Sequence, residues 1–172
     1  MTHPATLTEE ALIGDCDMRL ERRSGPGGQH RNKVETAVVL HHRQTGVSAE
    51  ANERRSQNEN RKVAVFRLRL ALAIDLTVSE RFGSEWSSPS LLWSERRAGK
   101  QMRVSAEHRD FPSILAEAMA MVLRHDWDAS AAAHELAIST SQLLKLLGKY
   151  PPALRSVNQM RQKKGLHAYK LG

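Results

Sequence analysis

The sequence predicts an α+β fold: a small mixed β-sheet with one packed helix and a projecting glycine-rich loop, followed by a helical C-terminal unit. Three observations carry that prediction. A β-branched run from Glu35 to His42 is turned back by Thr45-Gly46 into Val47 to Ala51, which reads as a hairpin. Ser56-Gln57-Asn58-Glu59 has the form of a capping box and heads a long apolar stretch with helical spacing. In the last third of the chain, helix-start residues recur at Pro112, Asp128 and Ser139.

Taken in order, Leu7 to Ile13 suits a short helix, and Cys16 to Arg22 alternates as a strand does. Ser24-Gly25-Pro26-Gly27-Gly28-Gln29 then packs three glycines and a proline into six residues, too many breakers for either element, so it is read as a loop. After the hairpin, the helix opened by Ser56 repeats Val63, Phe66, Leu70 and Ile74 on a row expected to face the sheet. Arg61, Lys62, Arg67 and Arg69 spread positive charge around the rest of it. Residues 1–80 are therefore read as a first domain, and residues 81–109, serine-rich near Glu85 to Trp93 and basic at Arg96, Arg97, Lys100 and Arg103, as a linker or basic arm.

Residues 110–150 read as a small helical unit. Pro112 suits the first turn of a helix reaching Arg124. Asp128 caps a second over Ser130 to Leu136, and Ser139 with Gln142 caps a third over Leu143 to Leu147. In that unit the acids Asp110, Glu117, Asp126, Asp128 and Glu135 outnumber Arg124, Lys145 and Lys149. Residues 151–172 hold Arg155, Arg161, Lys163, Lys164 and Lys170 with no acid, and read as a basic C-terminal tail.

Across its 172 residues the chain carries 26 Lys and Arg against 19 Asp and Glu, a formal charge of +7, which points to a polyanionic partner and first to nucleic acid. Cys16 is the single cysteine, so no intrachain disulfide is possible. The start Met-Thr-His-Pro-Ala has no basic segment before an apolar run, and no stretch has the length needed to cross a bilayer, so a soluble cytoplasmic protein is expected. Its histidines, among them His41, His42, His108, His125 and His134, lack ligand spacing, so neither a metal nor a cofactor is expected. Trp86, Trp93 and Trp127 are read as core rather than as stacking platforms. Asp128 to Leu147 has the outline of a helix-turn-helix, but its net acidity favours packing over DNA binding.

The loop holds the densest chemistry. Glycines let a backbone approach a ligand closely and aim N–H groups at a developing oxyanion. Arg22, Arg23, Arg31 and Lys33, with no acid between residues 22 and 33, would hold such a loop against phosphates. By itself, an anonymous loop of this kind reads first as a flexible surface loop with solvated charges.

The string Arg22-Arg23-Ser24-Gly25-Pro26-Gly27-Gly28-Gln29-His30, with Asn32 after it, resembles the signature loop of class I peptide-chain release factors. Thr45-Gly46 falls where that family turns its hairpin, and Arg55-Ser56-Gln57 with Asn60-Arg61 where it opens the next helix, so the resemblance covers residues 17 to 75 in order. It implies a ribosome-dependent peptidyl-tRNA hydrolase, with the ribosome's peptidyl transferase centre and the peptidyl-tRNA in the P site as partners. Gln29 is then catalytic: its backbone N–H stabilises the oxyanion and its side chain places the attacking water, while Gly27 and Gly28 supply the backbone shape. The expected RNA contacts are Arg22, Arg23, Ser24, His30, Arg31, Asn32, Lys33, Arg54, Arg55, Arg61 and Lys62, with Arg161, Lys163 and Lys164 in the tail.

This sequence departs from the family at Arg31, where a small aliphatic residue is usual, and at Arg54, where an acid is usual; both add positive charge. Only 23 residues precede Ser24, so a codon-reading domain ahead of the loop is not expected, and the order is similar to that of codon-independent ribosome-rescue factors. The alternatives are a ribosomal RNA-binding module that keeps the fold without hydrolysis, and an enzyme for another RNA-linked ester. The intact Gly27-Gly28-Gln29 favours catalysis, because binding alone has no need of that triplet.

Overall fold

The computed structural model describes residues 2–21, 36–79 and 89–170. The fold is α+β, and the chain divides into two compact units, Met1–Leu72 and Ala73–Gly172. The division falls inside a long helix, Gln57–Val78, a few residues before the boundary expected near residue 80.

In the first unit a 3-10 turn at Pro4–Thr6 leads into α1, Glu9–Gly14, capped by the Thr8 hydroxyl, which accepts from the Ala11 N–H at 3.3 Å. Strands β1 (Cys16–Glu21), β2 (Ala37–His42) and β3 (Ser48–Ala51) form a sheet in that order, antiparallel at both pairings. The β1–β2 ladder runs from Cys16 opposite His42 to Glu21 opposite Ala37. Alternation places Val38, Leu40 and His42 on the buried face of β2. The β2–β3 turn needs a left-handed residue, and Gly46 supplies it at φ 79°. Thr45 holds the turn from inside: its hydroxyl accepts from Val47 N–H at 3.2 Å and bonds His42 Nδ1 at 2.9 Å.

The helix α2, Gln57–Val78, starts where the capping box predicts, with the Ser56 hydroxyl accepting from Glu59 N–H at 3.4 Å. Its inward row differs from the expected one. Ala64, Val65, Leu68 and Leu72 are buried, and of the expected row Leu70 is buried while Val63, Phe66 and Ile74 are only half-buried. Apolar residues surround the helix from Val63 onward, so spacing alone does not select a face. Polar anchors select it instead: Arg61 Nε donates to Glu9 at 3.1 Å, the Arg69 guanidinium donates to the Leu7 carbonyl, and Asn60 is buried near the strands.

His3 is 3% exposed, and its Nδ1 accepts from the Ala5 N–H. Burial lowers its pKa to about 4 from an unfolded value of 6.5. Above pH 6.5 both states are neutral there and pH is without effect. Between pH 6.5 and about 4 only the unfolded chain takes the proton, so stability falls as pH falls, by on the order of 3 kcal/mol in all. Urea unfolding of His3→Gln beside the wild type is expected to show a smaller loss between pH 7 and pH 4 in the variant. Equal losses would remove His3 as the cause.

The second unit corrects two expectations from sequence. Residues 89–109, expected as linker or arm, hold α3 (Leu91–Arg96) and a hairpin of β4 (Arg97–Ala98) and β5 (Gln101–Met102) turned at Gly99. They fold because their anchors lie far along the chain. Trp93 is fully buried and its indole N–H donates to the Leu136 carbonyl at 2.9 Å. The Glu117 carboxylate, 2% exposed, accepts from the Ser90 N–H at 2.7 Å and hydroxyl at 2.6 Å, just ahead of α3. Residues 151–163, expected within a tail, form α7 (Pro151–Lys163), which buries Ala153 and Val157 one turn apart.

The remaining helices are α4 (Phe111–Arg124), α5 (Ala129–Glu135) and α6 (Thr140–Gly148). The last two carry the expected caps: Asp128 accepts from Ser130 N–H at 2.7 Å, and Ser139 from Gln142 N–H at 3.2 Å. Ala137 turns the chain between them at φ 54°. Leu136, Leu143, Leu146 and Leu147 bury against this turn's interior together with Trp127.

Candidate functional site

The site predicted from sequence centres on Gly27, Gly28 and Gln29, with Arg22, Arg23, Ser24, His30, Arg31, Asn32 and Lys33 beside them; all of these lie outside the described residues. The structure does describe both ends of the segment that carries them. Glu21 and Ala37 are partners in the β1–β2 ladder, so the chain leaves and re-enters the sheet at neighbouring positions.

One side chain fastens the re-entry point. Asn60, in the first turn of α2, is fully buried, and its amide nitrogen donates to the Thr36 carbonyl at 2.7 Å and the Arg54 carbonyl at 3.0 Å. Its amide oxygen accepts from the Arg54 N–H at 2.9 Å. The residue entering β2 and the turn before α2 are thus joined through one amide. Sequence comparison marks Asn60 as part of the resemblance but not this role. The signal was an asparagine inside a helix, a residue that normally competes with helical backbone bonding and so implies a local partner.

Of the predicted RNA contacts among the described residues, this junction gathers some and not others. Arg54 and Arg55 are exposed on the turn held by Asn60, and Lys62 is exposed on α2 just beyond. The neighbouring acid is already occupied: Arg67 binds Glu53 at 2.6 Å and also donates to the Glu50 carbonyl at 2.7 Å. Slight burial pushes the Glu53 carboxyl up, but the N–H groups of Glu53 and Asn52 and the Arg67 guanidinium outweigh it and hold the group below the usual carboxylate range. Among the described residues Arg54, Arg55 and Lys62 enter no ion pair. Arg61 is engaged differently, paired with Glu9 at 3.1 Å.

Arg161, Lys163 and Lys164 belong to the second unit. Arg161 donates to the Trp127 carbonyl at 2.6 Å and the His167 carbonyl at 2.7 Å, and lies 3.9 Å over the Tyr169 ring. It holds the helical unit together. Lys164 pairs with Asp126, and Lys163 is exposed. The Cys16 thiol offers no nucleophile: it donates to the Leu12 carbonyl, and burial first of all raises its pKa to about 11. Among the described residues no group of three His, Cys, Asp or Glu could hold a metal ion, and no helix is long and apolar enough to cross a membrane.

Replacing Asn60 by alanine is expected to destabilise the first unit by roughly 2 kcal/mol, because two carbonyls and one N–H, all partly buried, lose their partner. The urea unfolding midpoint measures it, and an unchanged midpoint would mean that water replaces the amide at no cost.

Residues 11–108 match the RF-1 domain family, a span that includes the sheet, the segment between β1 and β2, and α2. Among curated proteins, the chain is 43% identical over 65 residues to "Peptide chain release factor 1" of Malacoplasma penetrans (strain HF-2), covering 37% of this chain and 18% of that protein. It is 44% identical over 81 residues to "Peptide chain release factor 1" of Acidiphilium cryptum (strain JF-5), covering 41% of this chain and 23% of that one. The chain thus spans about a fifth of the length of these relatives. No solved structure matches it.

Proposed function

The chain belongs to the RF-1 domain family, that of the class I peptide-chain release factors, and from this premise we propose that it hydrolyses the ester of peptidyl-tRNA on the ribosome. The observation that carries the reading is Gly27-Gly28-Gln29 within the matched span, in the segment between two strands paired out to Glu21 and Ala37. The reaction is attack of water on the ester carbonyl. The Gln29 N–H donates to the oxyanion, its side-chain amide orients the water, and Gly27 and Gly28 admit the backbone shape this needs. No cofactor or metal takes part in this scheme. Arg22, Arg23, Ser24, His30, Arg31, Asn32 and Lys33 hold the segment on ribosomal RNA, and Arg54, Arg55 and Lys62 extend that contact at its base.

The proposal extends to rescue of stalled ribosomes in the cytoplasm without intrinsic reading of a stop codon. What supports this is that the matched span ends before α4, so that the helices beyond it, with the exposed Lys163 on α7, are available for a different engagement. The test is release of labelled peptide from ribosomes stalled on a truncated message, beside ribosomes halted at a stop codon and at a sense codon. Release on the truncated message, with no gain from the stop codon, is the expected result. Ribosome binding with no release in any of the three would replace the hydrolase by an RNA-binding module.

A further inference from the structure

The second unit carries a basic surface built from two elements that the sequence keeps far apart. The Ser139 N–H, at the cap of α6, donates to the Lys100 carbonyl at 3.4 Å, and the Lys149 ammonium, at the far end of α6, donates to the Val104 carbonyl. From residue 100 to 104 an extended chain advances about 13 Å, and from residue 139 to 149 a helix advances about 15 Å. The strand β5 and its continuation therefore run alongside α6 for its whole length. Met102 and Val104 point into the core, which leaves Lys100, Gln101 and Arg103 exposed. On α6, Leu143, Leu146 and Leu147 are buried, while Ser141 and Lys145 lie outward one turn apart.

Charge on this surface is of one sign. Residues 97–104 and 139–150 hold Arg97, Lys100, Arg103, Lys145 and Lys149 and no acid. Of the unit's acids, Glu117 binds Ser90, Asp110 Arg96, Glu135 Arg124 and His125, and Asp126 Lys164, while Asp128 caps α5; Glu95 and Glu107 are exposed just outside residues 97–104. Among the described residues Lys100, Arg103 and Lys145 enter no ion pair. With α5, the Ala137 turn and α6, the arrangement is a helix-turn-helix flanked by a two-stranded hairpin.

We propose that this surface is a second RNA-binding site, which takes the phosphate backbone of a double-helical stem. Phosphate rather than base recognition follows from the side chains. Lysines act as point charges, and beside them α6 exposes only Ser141, so phosphate positioning dominates over base reading. A duplex of A form is met in this way, by backbone and shape, because its deep major groove does not admit a helix. The choice of RNA over DNA rests on the reading of the chain as a ribosome-directed protein; the phosphate chemistry does not.

The test uses the full chain and a labelled RNA hairpin with a long stem, with a DNA duplex of the same sequence in parallel, followed by fluorescence anisotropy over a range of KCl. Replacing Lys100, Arg103 and Lys145 together by glutamine is expected to weaken RNA binding at least tenfold, and to make the log–log salt slope shallower by about one for each cation removed. Ser141→Glu, a single acid placed at the centre of the surface, is expected to weaken it in the same direction, with circular dichroism unchanged for both variants. Equal RNA binding by wild type and both variants would overturn the proposal, as would tighter binding to the DNA duplex. Peptide release by the wild type separates the two readings: stem binding by a protein that releases no peptide would leave this site standing and remove the hydrolase.

Discussion

Gln29→Ala is expected to reduce peptide release by roughly 10²-fold or more in a single-turnover assay on stalled ribosomes, with the unfolding midpoint of the free protein unchanged. Attack on an ester passes through a tetrahedral oxyanion, and a donor and an oriented water supplied at that point lower the barrier by positioning rather than by proton abstraction. Removing the side-chain amide disturbs the water and leaves the backbone donor, so activity falls without vanishing. Gly28→Ala acts on the other half, because a Cβ restricts the backbone that carries the donor, and its loss is expected to be at least as large. Neither change touches what fixes the sheet, since the Glu21–Ala37 pairing and the Asn60 bonds lie outside the altered segment. Asn60→Ala is the contrasting case, with stability and release both falling. Release by Gln29→Ala at the wild-type rate would sink the proposed mechanism.

The largest expected change in stability is at Trp93. Trp93→Ala should destabilise the second unit by about 3–5 kcal/mol, the usual cost of removing a large buried aromatic, and lower its melting temperature by more than about 10 °C. Two effects combine. The indole is fully buried, so its removal leaves a cavity, and the Leu136 carbonyl at the end of α5 loses the N–H that satisfies it. Trp93→Phe separates them, restoring most of the apolar volume but not the donor, and is expected to recover over half of the loss. Calorimetry of the three proteins provides the comparison; a Trp93→Ala protein as stable as the wild type would show that residues 89–109 contribute little to the unit.

Elements whose stabilising groups are close in sequence were legible. The Thr45-Gly46 turn and the caps at Ser56, Asp128 and Ser139 follow from residues a few positions apart, and the structure has them. Elements held by distant partners were not. Nothing near Trp93 announces that Leu136 awaits its indole, nor does Ser90 announce Glu117, so a serine-rich stretch read as an arm. In α7, charge masked the pattern: the basic residues are prominent, whereas Ala153 and Val157 are small and only one turn apart. The site shows the same division. The chemistry proposed for it rests on the triplet Gly27-Gly28-Gln29 alone, while the fastening of its base by Asn60 to Thr36 and Arg54 depends on a turn of helix returning to the sheet.

Pairing of Glu21 with Ala37 has a consequence for how this family domain can vary. Once the two ends of a connecting segment are fixed side by side, polymer statistics govern its length: doubling the number of residues between them costs only about 0.6 kcal/mol of closure entropy. That is small beside the stability of a folded domain. Insertions or deletions between β1 and β2 are therefore expected to be tolerated around the proposed catalytic triplet, while the sheet and its helix stay as they are.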